Sequence, residues 1–267
     1  SNYQSVSFFS QFCDVMVLAR ELDLGQIKAI VDYISEHQVK GPSGRLVRIE
    51  VFVHGALCMA ISGKCFLSEH IDMASANRGA CYQLCRREYE VKDEHGNTLK
   101  LENNHILSPK DLSTIRFLDQ IVESGASVLK IEGRGRSPEY VKTVTAAYQE
   151  AIALIHERNY TEQHKDRLEN ELKKVFNRGF WEGHFLGKKI SEWNTDVYGS
   201  KSTTQKRYLA KGLKYFKKIQ VGEFLMETGE LSINDEIYII GPTTGVIKMS
   251  VDELRLDDEH VDIVSKG

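Results

Sequence analysis

The run Ser124-Gly125-Ala126-Ser127-Val128-Leu129-Lys130-Ile131-Glu132-Gly133-Arg134-Gly135-Arg136-Ser137-Pro138 reads as one repeat of an α/β architecture. Gly125 stops a preceding helical pattern, Val128–Ile131 is short and apolar enough for a buried strand, and Ser137-Pro138 opens the next helix with Pro in its first turn. Tyr140, Val144, Tyr148, Ile152 and Ile155 then fall on one stripe of that helix. Upstream, Val15-Met-Val-Leu-Ala19 predicts another buried strand, and Asp23 with Gln26 predicts a capped helix whose apolar face is Ile27, Ile30, Val31 and Ile34. Leu46–Phe52 predicts a strand delivering Glu50 and His54 to its C-terminal end, and Ser108-Pro109 predicts a helix lined by Leu112, Ile115, Leu118, Ile121 and Val122. Alternating strands and helices imply parallel pairing with right-handed crossovers. Three strands are too few for a complete eight-stranded barrel. The expectation is therefore a partial (β/α) barrel, entered at a helical pattern over Tyr3–Phe12 and continuing beyond the N-terminal end of the chain.

The remaining chain divides by pattern. Tyr89–Glu102 predicts a hairpin around His95-Gly96-Asn97, and Thr161 starts a charged helix that ends before Asn177-Arg178-Gly179. The expected organisation is a barrel unit over residues 1–190, a polar linker over 191–205 and a small all-β barrel over 206–267. The second unit rests on turn-bounded runs such as Gly222–Met226 and Ile233–Pro242. A net charge of −3 excludes a globally basic nucleic-acid binder, so any such partner must meet a local patch. No apolar run approaches the length of a membrane span. Five cysteines without a secretory pattern point to the cytoplasm, with thiols free to act as ligands.

Four of those cysteines, Cys58, Cys65, Cys81 and Cys85, are spaced C-x6-C-x15-C-x3-C. Four thiolates suit zinc or an iron–sulfur cluster. Only the last pair has the short spacing of a zinc knuckle, while a cuboidal cluster tolerates wide spacing because each thiolate meets a different iron. Lys64, Arg78 and Arg86 lie beside the ligands in sequence and are candidate cofactor-binding residues, since positive neighbours favour thiolates. Spacing alone leaves cluster, zinc and buried core cysteines open.

Glu50 and Glu132 are candidate paired carboxylates at strand ends, with Arg134 beside them; the competing reading is ion pairing with Arg134 or Arg48. His54 is either a proton relay or a hydrogen-bonded structural histidine. Ser62 and Ser68 flank Cys65 but lack the surroundings of a hydrolytic nucleophile. Between Ser200 and Ile219 stand seven basic residues and no acidic ones, interleaved with Tyr208, Tyr215 and Phe216. Lys206, Arg207, Lys211, Lys214, Lys217 and Lys218 there suit phosphate contact and the aromatics suit base stacking, unless they simply protect a solvated edge strand.

These motifs resemble a known family. Glu50-x-Phe52-x-x-Gly55-Ala56-Leu57-Cys58, Gly63-x-Cys65-x-Leu67-Ser68, Asn77-Arg78-Gly79-Ala80-Cys81, Cys85-Arg86, Leu107–Leu112, Lys130–Arg134 and Phe176–Phe180 are similar to the pattern of the U32 "collagenase-like" peptidase family. The resemblance implies a TIM-like barrel lacking its first strands, followed by a β-barrel like those of translation factors. It implies a [4Fe–4S] cluster on the four cysteines, and an RNA-hydroxylating activity most like that on a tRNA wobble uridine, with prephenate or another small organic acid as a required metabolite. Glu50, His54, Glu132 and Arg134 would line the barrel mouth. A true peptidase and a metal-stabilised, non-enzymatic RNA-binding scaffold are the alternatives. Lys64, Ala74-Ser75 and Gly135-Arg136 depart from the family's usual residues.

Overall fold

The apolar run at Val15 becomes strand β1 (Val15–Val17), parallel to β2 (Arg48–Gly55), in a computed structural model that describes residues 1–99, 105, 107–187, 192 and 199–266. The chain forms two compact units, Ser1–Thr203 and Thr204–Gly267. In the first, β2 also pairs in parallel with β4 (Val128–Ile131) and, through its last two residues, antiparallel with β3 (Asp111–Ser113). Parallel pairing of β3 with β5 (Phe180–Trp181) completes a five-stranded sheet.

Alternation along β2 sorts its two faces. Ile49, Val51 and Val53 are buried in the core, while Glu50 and Phe52 on the opposite face are half-buried. The core is completed by helices. α1 (Tyr3–Phe9) precedes β1, and α2 (Leu24–Glu36) buries Ile27, Ile30 and Ile34. The α2 start is the capping box foreseen: Gln26 N–H donates to Asp23 Oδ1 at 2.8 Å, and Asp23 N–H to Gln26 Oε1 at 3.1 Å. Between them come the short α3 (Leu67–Asp72) and α4 (Leu118–Glu123). α5 (Pro138–His156) begins at the expected Pro and buries Tyr140, Val144 and Tyr148, and α6 (Glu162–Lys173) is capped by Thr161. Each fully buried Ile, Val or Leu in this core contributes about 1.5–3 kcal/mol.

Two expectations are corrected. No helix begins at Pro109; residues 111–113 form β3, and α4 starts only at Leu118 after a 3₁₀ turn. All three β3 residues are buried, and its backbone is paired with β2 and β5, whereas a helix there would need a solvent face. Phe180-Trp181, expected only to break α6, is a strand. A Val91–Lys92/Thr98–Leu99 ladder realises the hairpin, but its foreseen end at 100–102 lies outside the described residues, as do residue 191 and residues 193–198 of the foreseen linker.

Among the described residues, the regular elements of the second unit are all strands, in separate two-stranded ladders with no closed barrel. β6 (Ala210–Phe216) and β7 (Val221–Met226) form the longest hairpin. Glu236–Gly241 pairs with Gly245–Ser250, and Glu230–Ser232 with Ile263–Ser265. No helix among the described residues is long and apolar enough to cross a membrane.

One glycine locks β2 to β4. Gly55 has φ +112°, and a Cβ there would sit 2.4 Å from the Glu132 carbonyl oxygen. The neighbouring Glu132 N–H donates to the His54 carbonyl at 2.8 Å. Gly55→Ala is expected to cost about 2–4 kcal/mol, combining backbone strain with a backbone clash. Gly44→Ala, at φ +76° with nothing within 4 Å, meets only the strain. Urea unfolding of both variants tests this; equal losses would refute the clash.

Candidate functional site

The four cysteines occupy loops beyond the end of β2. Cys58 follows β2, Cys65 precedes α3, Cys81 follows a 3₁₀ turn, and Cys85 lies in another (Leu84–Arg86). All are free thiols, Cys58 and Cys81 exposed, Cys65 and Cys85 partly buried. Burial pushes the Cys85 thiol above its ordinary value; Arg86 opposes this, and Cys58, Cys81 and Cys65 add to it. The four sulfurs are thus in one electrostatic neighbourhood. Yet among the described residues no three His, Cys, Asp or Glu side chains are gathered closely enough to hold a single metal ion. Cys13 lies apart and packs against the core.

Of the three basic candidates, only Arg86 is built into this region. Its Nη2 donates to the Leu57 carbonyl at 2.6 Å, and its Nη1 to the Pro109 carbonyl at 2.6 Å and to Ser108 Oγ at 3.0 Å. Leu57 precedes Cys58 and Arg86 follows Cys85, so one guanidinium fastens together two cysteine-bearing loops. Lys64 and Arg78 are exposed.

The carboxylate candidates are separated in role. Glu50 lies within β2 rather than at its end, and pairs with Lys130 at 2.8 Å rather than with Arg48 or Arg134. The cross-strand register sets Lys130 beside Phe52, two residues along the same face, and that brings the ammonium within reach. Glu132 does sit at a strand end, where Arg134 N–H donates to its Oε1 at 2.8 Å; the Arg134 side chain is exposed.

His54 is enclosed. Its ring packs against Tyr140, Tyr148 and Phe180, and Nδ1 lies 3.3 Å from Tyr148 Oη. Tyr148 donates to the Val53 carbonyl at 2.8 Å and accepts from Thr114 N–H at 3.1 Å. With the hydroxyl proton committed to Val53, the imidazole proton belongs on Nδ1. Burial and, secondarily, Arg136 push the His54 pKa down to about 3. A neutral, enclosed ring of this kind is a structural histidine rather than a relay to solvent.

Four charged residues went without a role in the sequence. Arg20 donates to the Ala56 carbonyl at 2.8 Å and stacks 3.8 Å above Phe52, in the lining of a small cleft of about 10 Å³ shared with Leu57, Leu112 and Phe185. Asp111, Arg136 and Arg178 form a buried charged group at the start of β3. In the second unit, Lys206, Arg207, Lys211, Lys214, Lys217 and Lys218 are exposed, and Lys214 Nζ stands 4.6 Å from the Phe216 ring.

The model of peptidase family U32 matches residues 1–195. The chain belongs to peptidase family U32. It is 52% identical over its full length to a protein named collagenase from Porphyromonas gingivalis, spanning 64% of that relative. It is 32% identical to tRNA hydroxylation protein P1 of Bacillus subtilis, with 91% of this chain and 56% of the relative covered. A 23S rRNA 5-hydroxycytidine synthase of Escherichia coli is 43% identical over 54% of this chain and 20% of its own length. No solved structure matches the chain significantly. The U32 chain thus spans less than two thirds of each of these curated relatives.

The His54 environment predicts an acid limit for this U32 chain. The unfolded histidine titrates near about 6.5, whereas the folded one stays neutral down to about 3. Stability contributed by neutral His54 is present above pH 6.5 and is lost as pH falls through that window, at a limiting slope of about 1.4 kcal/mol per pH unit. Urea unfolding between pH 7 and 4 should show a shallower decline in His54→Gln than in the parent. Parallel declines would sink this assignment.

Proposed function

We propose that this chain is part of an RNA-modifying enzyme in which Cys58, Cys65, Cys81 and Cys85 hold a [4Fe–4S] cluster. The carrying observation is that four free thiols stand in the loops beyond β2 and the charges of Cys58, Cys65 and Cys81 reach Cys85, while no three of them are gathered for a single metal ion. A tetrahedral zinc ion at 2.3 Å from each sulfur needs thiols about 3.8 Å apart. A cluster spreads its ligands over four irons, so the donor set suits it better. Arg86, between the Cys85 thiol and the carbonyl before Cys58, would offset the negative charge of a thiolate-ligated cluster. Such a group supplies one-electron chemistry.

The five-stranded sheet is, in this reading, an arc of a TIM-like barrel, with Glu132 and Arg20 near its mouth where a flipped base or a small organic acid is taken up. The substrate is an RNA, a tRNA with a wobble uridine by preference, as two of the relatives are named for RNA hydroxylation. The exposed lysines of β6 and the turn after it, with Tyr208, Tyr215 and Phe216, provide phosphate contacts and stacking surfaces. The place of action is the cytoplasm.

Peptide hydrolysis is the second reading, favoured by the collagenase name of the 52% identical relative. The site offers it little. Ser62 Oγ donates to the Glu21 carboxylate, Ser68 Oγ is buried and accepts from Tyr82 N–H at 3.1 Å, and neither touches a histidine among the described residues.

Protein purified without air is expected to be brown and to contain iron, and Cys85→Ser to lose both. Stoichiometric zinc in a colourless sample would overturn the cluster. Deleting the gene should remove a hydroxylated nucleoside from digested tRNA or rRNA, read by mass spectrometry; an unchanged nucleoside profile with a lost peptidase activity would favour hydrolysis. Replacing Lys211, Lys214, Lys217 and Lys218 by Gln should weaken tRNA binding and reduce the log–log salt slope by about 3. An unaltered slope would remove the second unit from the RNA footprint.

A further inference from the structure

Beyond the cysteines lies a buried charged group, Asp111 with Arg136 and Arg178, that the proposed function does not use. The Asp111 side chain is 2% exposed, and two guanidiniums converge on it. Arg136 Nη2 stands 3.4 Å from Oδ2 and Arg178 Nη1 stands 3.3 Å from Oδ1, while Arg178 N–H donates to Oδ2 at 3.2 Å. The same two guanidiniums lie over one ring, Phe176, at 3.9 and 5.0 Å from its centroid. Arg86 approaches the start of the same strand through Ser108 and Pro109. Among the described residues, Asp111 is the carboxylate that two of the three arginines touch, and Arg86 touches none.

Among the described residues, three positive charges therefore meet one carboxylate, that of Asp111, in a largely desolvated place. Burial pulls Arg136 below the ordinary arginine value, and repulsion from Arg178 adds to it against the opposing charge of Asp111. The contacts to Asp111 are also longer than the roughly 2.7–2.9 Å of a well-formed ionic hydrogen bond. Asp111 leaves its arginines under-satisfied. A buried cation without full compensation is costly, and the fork of a guanidinium matches an oxyanion in two-point contact.

We propose that Arg136 and Arg178, with the charge of Arg86 behind them, receive the carboxylate or phosphate group of a small anionic ligand. The Arg136 and Arg178 side chains keep 11% and 12% of their surface open, which suits the end of a small molecule rather than the backbone of a polymer. Phe176 gives that end a flat wall. Asp111 acts as an internal competitor that holds the guanidiniums in place. This site goes beyond the cluster reading and stands without it.

Calorimetry and thermal unfolding of the purified chain test it with inorganic phosphate and with malonate, against sodium chloride at equal ionic strength. Either anion is expected to raise the unfolding temperature above the chloride control. A stronger response to malonate assigns a carboxylate ligand, and a stronger one to phosphate assigns a phosphorylated ligand. Arg178→Gln should weaken binding about tenfold, and Asp111→Asn should tighten it by a similar factor, since it removes the competitor. A purely structural network predicts the opposite for Asp111→Asn, with stability lost and no gain in anion response. Parity of both anions with chloride overturns the proposal, and that comparison needs no variant to fold. Iron content is measured alongside, because binding is expected at any iron content.

Discussion

The arrangement beyond β2 depends on the desolvated guanidinium of Arg86. It satisfies the carbonyls of Leu57 and Pro109 and the hydroxyl of Ser108, three groups brought from two distant parts of the chain. Buried carbonyls left without a donor cost about 1–3 kcal/mol each, so these loops are held where the guanidinium can reach them. Leu57 leads into Cys58, Cys85 leads into Arg86, and Pro109 leads into β3. The spacing of two thiols and the entry of a strand are thereby set by one side chain. Lys could not substitute, because its single ammonium lacks the fork that addresses both carbonyls at once.

Strand β2 distributes chemistry by parity. Its odd-numbered residues Ile49, Val51 and Val53 close the core, and its even-numbered residues Glu50, Phe52 and His54 take different fates along the other face. Glu50 is tied to Lys130, a partly exposed pair worth at most about 1 kcal/mol, so its carboxylate is positioned more than stabilised. Phe52 lies beneath Arg20 and within 5.2 Å of Lys130, an apolar ring between cations. His54 is sealed by three aromatic rings at the point where β2 meets β3. Polarity along this face falls from Glu50 to His54, and the groups able to meet a solute are those before the seal and in the loops after Gly55.

Local rules made some of this legible. Asp23 and Gln26 announce a capping box that needs only residues three apart, and Pro138 announces a helix start because its fixed φ suits the first turn. The same rule misled at Pro109. There the following residues are committed to long-range pairing with Gly55 and Trp181, which no local periodicity encodes. Phe180-Trp181 is too short to carry a strand pattern and is a strand only because β3 lies beside it. The cysteines stood out by their conspicuous spacing, and the structure places all four in the loops beyond β2. Asp111, Arg136 and Arg178 were not. They are separated by 25 and 67 residues from Asp111, and each alone looks like a solvated charge.

Family membership constrains the fold more than the reaction. U32 relatives carry names from peptide cleavage and from RNA hydroxylation, and chemistry has to be read from the groups this chain presents. Hydrolysis by a side-chain nucleophile requires a base within hydrogen-bond reach of that nucleophile. Here His54 is buried, neutral and bound to a tyrosine, while the Ser62 hydroxyl is spent on Glu21 and that of Ser68 accepts from a backbone amide. The unspent chemical potential lies elsewhere, in four free thiols and in arginines whose charge exceeds that of their buried partner. Soft, oxidisable thiols beside surplus positive charge are the features on which the proposed cluster and anion site rest.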